Sequence, residues 1–244
     1  MQAAAIIPAR YGSTRFPGKP LADIAGKSMI ERVYIQTEKA TEIDRLIVAT
    51  DDKRIAREVE KFGGRAVMTK GSHKSGTDRI AEVASDLSEE IIVNVQGDEP
   101  LIKPEMIDKA VKLLEENKDI RMSTLASPLN KNDIDDENVV KVVRDLNNNA
   151  LYFSRAPIPA VRSGERTEYD CPILQHIGLY VYRRNFLLEF TEYKPTPLEK
   201  MESLEQLRAL EHGYDIKVGI TEYHGPGVDS PEDVERVEKI LRGR

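Results

Sequence analysis

Residues 9 to 20 read Ala-Arg-Tyr-Gly-Ser-Thr-Arg-Phe-Pro-Gly-Lys-Pro, with three cations, two glycines and no acid, directly after an apolar run at 4–9. In open α/β sheets ligands bind beyond the carboxyl ends of the strands, where a glycine-bearing turn lets backbone N–H groups approach phosphate oxygens. Such a loop suits a triphosphate, and a basic surface turn with no ligand is the plainer, less favoured alternative. It is not a P-loop, because five residues separate Gly12 from Gly18 and Pro20 stands where that motif needs serine or threonine. No G-x-G-x-x-G follows the first strand, which removes the main support for a nicotinamide or flavin site.

Two carboxylates stand at expected strand ends: Asp98 follows the apolar run 91–96, and Asp229 precedes the helix start Ser230-Pro231-Glu232-Asp233. Each also has a plainer role, Asp98-Glu99-Pro100 as a solvated acidic turn and Asp229 as a neighbour of a helix N-terminus. Asp51-Asp52, after RLIVAT, compete as ligands but read better as a helix cap. His73 has no histidine or cysteine partner at metal spacing. Cys171 is the single cysteine and so makes no internal disulfide, which fits a reducing cytoplasm.

The elements that must position these groups follow from periodicity. Short β-rich runs at 4–9, 45–50, 65–69 and 91–96 alternate with helical segments, the pattern of βαβ crossovers on a largely parallel sheet. Ser28 and Glu31 form an expected capping box ahead of Met29, Ile30, Val33 and Tyr34. Pro104 opens a helix that repeats apolar residues at 106, 107, 110, 111 and 114. Beyond about residue 120 strands predominate (MSTLASP, NVVKVVRD, ALYFSRA, LQHIGLYVYRR), so antiparallel additions are expected. A helix over 198–212 would place Glu202, Glu205 and Gln206 on one face. A strand IKVGITEY and a closing helix from Ser230 complete the chain.

With 244 residues, 40% of them hydrophobic and 32% charged, the chain is expected to form one globular domain. Thirty-six basic against 42 acidic residues leave a net charge of −6, which carries no general footprint for nucleic acid. The N-terminal apolar run is too short for a signal peptide, and no apolar segment approaches a membrane span.

Several stretches together resemble the sugar-acid cytidylyltransferases: PARYGSTRFPGKPL (8–21), HKSGTDR (73–79), VNVQGDEP (93–100), NVVKVVRD (138–145), ALYFSRAPIP (150–159), QHIGLYVYR (175–183), PLEKMESLEQLR (197–208) and GVDSPEDVERV (227–237). The resemblance spans nearly the whole chain and implies an α/β, Rossmann-like nucleotide-diphospho-sugar transferase fold. The central sheet would be mainly parallel and flanked by helices, with an antiparallel extension in the second half. It implies a single catalytic domain in two parts, a nucleotide-binding part at about 1–120 and 214–244 and a sugar-binding and dimerisation part at about 121–213. The implied reaction moves CMP from CTP to the anomeric hydroxyl of 3-deoxy-D-manno-octulosonate (Kdo), releasing pyrophosphate, in a cytoplasmic homodimer that serves lipopolysaccharide synthesis.

By the same resemblance Arg10 and Lys19 contact the phosphates, with Lys19 facing the α-phosphate, while Asp98 and Asp229 hold Mg2+. Ala9, Gly12, Ser13, Ser75, Gly76, Arg79 and Gln96 join Arg10 and Lys19 around the nucleotide. The sugar acid falls to Gln96, Arg155, His176, Tyr180, Glu202, Glu205 and Gln206, where the Arg155 fork suits a carboxylate. His176 lies in an apolar strand and fits a hydrogen-bonded core histidine as well. The alternatives are a CMP-sialic acid synthetase or other sugar nucleotidyltransferase, which would differ over 150–206, and a nucleotide-binding protein without turnover.

Overall fold

The structure is a computed structural model that describes residues 1–12, 16–160, 173–222 and 225–243. Ser13, Cys171 and the rest of the 161–172 segment lie outside the described residues.

The first half alternates strand and helix as its apolar runs require. β1 (Ala3–Ala9) leads through a loop and a small ribbon, β2 (Asp23–Ile24) with β3 (Lys27–Ser28), into α1 (Met29–Thr37). Then come β4 (Arg45–Thr50), α2 (Lys53–Lys61), β5 (Ala66–Met68), α3 (Gly76–Ser85), β6 (Ile91–Asn94) and α4 (Pro104–Glu116). The second half is richer in strand: β7 (Met122–Pro128), β8 (Lys141–Arg144), β9 (Ala150–Ser154) and β10 (Leu174–Arg183). Helices α5 (Arg184–Glu192), α6 (Pro197–Glu202) and α7 (Leu207–Glu211), strand β11 (Ile216–Ile220) and helix α8 (Pro231–Arg242) follow.

The main sheet runs β11-β7-β10-β6-β1-β4-β5, with β8 and β9 attached beside β10. β1 is parallel to β4 and β6, β4 is parallel to β5, and β11 is parallel to β7. β10 is antiparallel to β6, β7 and β8, and β8 is antiparallel to β9, so the expected antiparallel extension is present. Alternation along β1 divides the core. Ala3, Ala5 and Ile7 pack with Ile30, Val33, Ile55 and Ile107 on one face, while Ala4 and Ile6 pack with Ile80, Phe186, Phe190 and Leu207 on the other. Helices therefore cover both faces, and the strand ends are left to carry chemistry.

Two local expectations are corrected. Ser28 caps α1 by accepting from the Glu31 N–H at 3.3 Å, but the Glu31 carboxylate pairs with Lys27 instead of closing the box. The helix over 198–212 is in fact two helices, α6 and α7. Ser203 adopts a left-handed conformation (φ 52°, ψ 47°) that ends α6 and turns Leu204 and Leu207 into the core. The break separates Glu202, at the end of α6, from Glu205 and Gln206 in the turn before α7, so the three do not share one helical face.

Candidate active site at the carboxyl ends of the strands

Lys19 opens a single 3-10 turn (Lys19–Leu21) whose cap, Gly18, sits at φ 75°. That position needs glycine, both for its positive φ and because a Cβ there would meet the Tyr11 ring at 3.1 Å. Tyr11 is held in turn by the Arg54 guanidinium, 3.3 Å from its ring centroid, and Arg54 is paired with Asp52 at 2.6 Å. Asp52 also caps α2 through the Arg54 N–H at 2.8 Å, as its place in the sequence implied. Its hydrogen bond to Arg54 holds its carboxyl down at about 2.

The Lys19 ammonium reaches across to the other two expected residues. Its Nζ lies 2.7 Å from Asp98 Oδ2, 3.2 Å from Asp229 Oδ1 and 2.9 Å from the Val228 carbonyl. Three segments far apart in sequence thus meet at one nitrogen. Asp98 is set by the turn after β6, where Gly97 passes so close to β1 that a Cβ would stand 2.9 Å from the Pro8 carbonyl oxygen. Asp229 is set by the start of α8, where Asp233 accepts from the backbone N–H groups of Asp229 and Ser230, both at 3.0 Å. A small apolar cluster of Ile24, Met29, Leu101, Val228 and Val237 packs these three segments together.

Glu99, next to Asp98, is partly buried. Burial first, then the Asp98 and Asp229 carboxylates, push its carboxyl up to about 8, with Lys19 opposing. The sequence reading missed Glu99 as part of the site. Its signal was the acid pair placed between a buried strand and the buried Leu101.

A cleft of about 310 Å³ opens beside these groups. Ala9, Arg10, Lys19, Ser75, Gly76, Arg79, Gln96, Asp98 and Asp229, all expected from the sequence, line it. Gly12 is not among the lining residues, whereas His73 and Lys74, which the sequence reading did not include, are. Ser75 caps α3 and forms a capping box with Asp78, directing the start of that helix into the cleft. Arg79 is only 4% exposed and is committed to Asp51 at 3.3 Å and to Thr69. His73 pairs with Glu82.

A second, wider groove of about 940 Å³ shares Gln96 and Asp229 with the first. Arg155, His176, Tyr180, Glu205 and Gln206 line it, as expected; Glu202 does not. Glu202 instead accepts from Ser154 Oγ at 2.8 Å and from the Arg155 N–H at 3.0 Å, which fixes the end of β9. The Arg155 guanidinium gives Nε to the Glu202 carbonyl and Nη1 to the Glu137 carbonyl, each at 2.8 Å, and Nη2 to the Ser203 carbonyl at 3.4 Å. Among the described residues, five guanidinium N–H donors less these three leave two for a ligand. His176 meets Thr124 Oγ1 at 2.9 Å and the Phe153 ring edge-on, so it is both a packed histidine and a groove residue. Burial raises the Tyr180 phenol well above its ordinary range, keeping it a neutral hydroxyl. Burial also raises the Glu205 carboxyl, against the hydrogen bonds of Thr77 and Ser75 that join it to the smaller cleft. Gln206 is 3% exposed, and among the described residues its Nε2 has no hydrogen-bond partner. A buried amide donor without a partner is costly. A ligand hydroxyl in this groove would satisfy it.

Residues 4–216 match the family profile described as Cytidylyltransferase. The 3-deoxy-manno-octulosonate cytidylyltransferase of Syntrophotalea carbinolica is 55% identical over all of both chains. That of Geobacter sulfurreducens is 53% identical, covering 99% of this chain and 100% of its own. Among solved structures, a CMP:2-keto-3-deoxy-manno-octonic acid synthetase complexed with CTP matches with a TM-score of 0.95 and 39% identity, over 100% of this chain and 99% of that one. A cytidylyltransferase from Leptospira borgpetersenii shares the fold, with a TM-score of 0.67, 17% identity and coverage of 100% of this chain and 88% of its own.

Proposed function

The chain belongs to the cytidylyltransferase family, and from that premise we propose how its two clefts make CMP-Kdo and pyrophosphate from CTP and Kdo. The observation that carries the mechanism is the single ammonium of Lys19 bonded to Asp98 and Asp229 where the nucleotide cleft meets the groove. CTP lies in the smaller cleft with its phosphates toward Arg10 and Lys19 and its base toward Ser75 and Gly76. Kdo lies in the groove, its carboxylate on the two remaining N–H groups of Arg155 and its hydroxyls on Gln206, Glu205, Tyr180 and His176. Gln96 borders both ligands.

In the transfer, the anomeric oxygen forms a bond to the α-phosphorus as the bond from that phosphorus to the pyrophosphate oxygen breaks, and the hydroxyl proton passes to solvent water. The protein has little covalent work in such a step and acts by positioning and by neutralising charge on the phosphoryl oxygens. Lys19 supplies that charge at the α-phosphate, and Arg10 supplies it toward the leaving group.

Magnesium is part of the proposal, and the residues present fit it. Asp98 and Asp229 are hard oxygen donors brought together at one point, at the edge of a polar cleft with room for waters and phosphate oxygens, and a cation already stands between them. Bound there, the ion would serve as a Lewis acid on a phosphate oxygen. A homodimer is also proposed, supported by the exposed Leu146, Leu151 and Met201 on the β8–β9 hairpin and α6. Among the described residues no helix is long and apolar enough to cross a membrane, and a cytoplasmic site for the reaction is proposed on the strength of its nucleotide substrate.

The test is pyrophosphate release from a panel of nucleoside triphosphates and acid sugars, with and without magnesium. CTP with Kdo and magnesium is expected to be the productive combination. Preference for sialic acid, or turnover undiminished by chelation, would overturn the corresponding part of the proposal.

A further inference from the structure

The motif at 138–145 has no part in the chemistry above, yet its lysine is the least exposed cation in its neighbourhood. Lys141 on β8 is 0% exposed. A lysine is rarely buried unless its charge is fully engaged, and here it is. The ammonium donates to three backbone carbonyls, Asp136 at 2.9 Å, Val139 at 2.7 Å and Arg155 at 2.5 Å. These use all three donors of the ammonium.

The three carbonyls belong to two separate stretches that border the groove. Asn138 and Val139 line it from one stretch and Arg155 from the other. From Arg155 the ties continue through its guanidinium to the Glu137, Glu202 and Ser203 carbonyls. Next to Lys141, the Val140 carbonyl accepts from the His176 N–H at 2.8 Å. The rim of the groove is therefore knotted by two cations on backbone carbonyls, one buried and one facing the ligand. An apolar residue at 141 would fill the space but leave three buried carbonyls without a donor.

We propose that Lys141 is a positioning residue for the acid sugar, its ammonium clamping residues 136–139 to the end of β9 and so fixing where the Arg155 guanidinium presents its remaining N–H groups. The inference rests on the groove being the Kdo site.

The test uses Lys141→Met in the full chain, with KM for each substrate, kcat, CTP affinity by calorimetry and melting temperature measured together. KM for Kdo should rise by at least about tenfold, the loss of one charge-assisted hydrogen bond's worth of alignment. KM and affinity for CTP should stay within about threefold, because Asn138, Val139 and Arg155, which the knot joins, line the groove and not the smaller cleft. In an Arg155→Ala background the same substitution should add little further, since Lys141 acts through Arg155. If Lys141→Met does not fold, Lys141→Gln, which keeps a donor for one or two carbonyls, should still raise KM for Kdo by about threefold or more. An unchanged KM for Kdo, equal rises for both substrates, or additivity with Arg155→Ala would each overturn the proposal. Normal wild-type turnover of Kdo alongside such a result would overturn it alone, whereas no wild-type turnover of Kdo would overturn the functional proposal as well.

Discussion

Replacing Lys19 with alanine should separate catalysis from folding, because the proposed role of the ammonium is central to one and marginal to the other. Its side chain is 16% exposed, and its partners Asp98 and Asp229 are 34% and 57% exposed. Ion pairs this open to water contribute about 1 kcal/mol or less to stability. For a chain of this length that is a melting shift of about 2–4 °C. The loss to turnover is much larger, because a charge aimed at the reacting phosphoryl group is worth about 10²–10³ in kcat, or roughly 2.7–4 kcal/mol of barrier. The two carboxylates, relieved of their ammonium, should also bind magnesium more tightly in the absence of nucleotide. The assay is pyrophosphate release at saturating CTP, Kdo and magnesium, with a thermal melt and a magnesium titration on the same preparation. Turnover within tenfold of wild type, or inactivity accompanied by a collapse in melting temperature, would refute the placement of Lys19 at the α-phosphate.

Other expectations follow from particular contacts. Gln206→Met removes the buried amide whose Nε2 lacks a partner; KM for Kdo should rise about tenfold while the melting temperature holds or increases, and a fall in stability with unchanged KM would show that the amide serves the fold. Gly97→Ala puts a Cβ 2.9 Å from the Pro8 carbonyl oxygen, so it should displace the Asp98 turn, lower CTP affinity in calorimetry and lower the melting temperature by several degrees; unaltered CTP binding would contradict the close approach. Asp52 has a carboxyl pKa lowered from 3.8 to about 2, chiefly by its hydrogen bond to Arg54, so its stabilisation is complete above pH 3.8 and is lost as pH falls to about 2. Asp52→Ala should therefore cost about 1 kcal/mol at neutral pH through the lost α2 cap, and melts across the acid range should show the gap closing toward pH 2.

Much of this arrangement was legible because two of its three pieces follow directly on strands, while Asp229, expected at a strand end, lies nine residues beyond β11 at the start of α8. The cation-rich turn after β1, Asp98 after β6 and Asp229 at the start of α8 could each be located by periodicity and capping alone, and the fold brings all three to one nitrogen. What periodicity could not supply was the path between α6 and α7. A single helix read through 198–212 ignores Ser203, whose left-handed backbone breaks the helix and sends Glu202 toward β9 and Glu205 toward Thr77. Burial of polar groups was equally hidden. Lys141 and Glu99 read as ordinary charges in sequence, because only tertiary packing encloses one among three carbonyls and partly buries the other within the influence of Asp229. Arg79 illustrates the converse case: it lines the smaller cleft as expected, yet its guanidinium is engaged by Asp51, which the sequence favoured as a helix cap over a ligand.

The central claim, that Asp98 and Asp229 place a metal on the same α-phosphate that Lys19 faces, is tested most directly with the two diastereomers of CTP carrying sulfur on the α-phosphate. One diastereomer should turn over poorly with magnesium and recover with the sulfur-tolerant cadmium ion, and Asp98→Asn should abolish that recovery. Equal turnover of both diastereomers with magnesium, and no gain from cadmium, would contradict it.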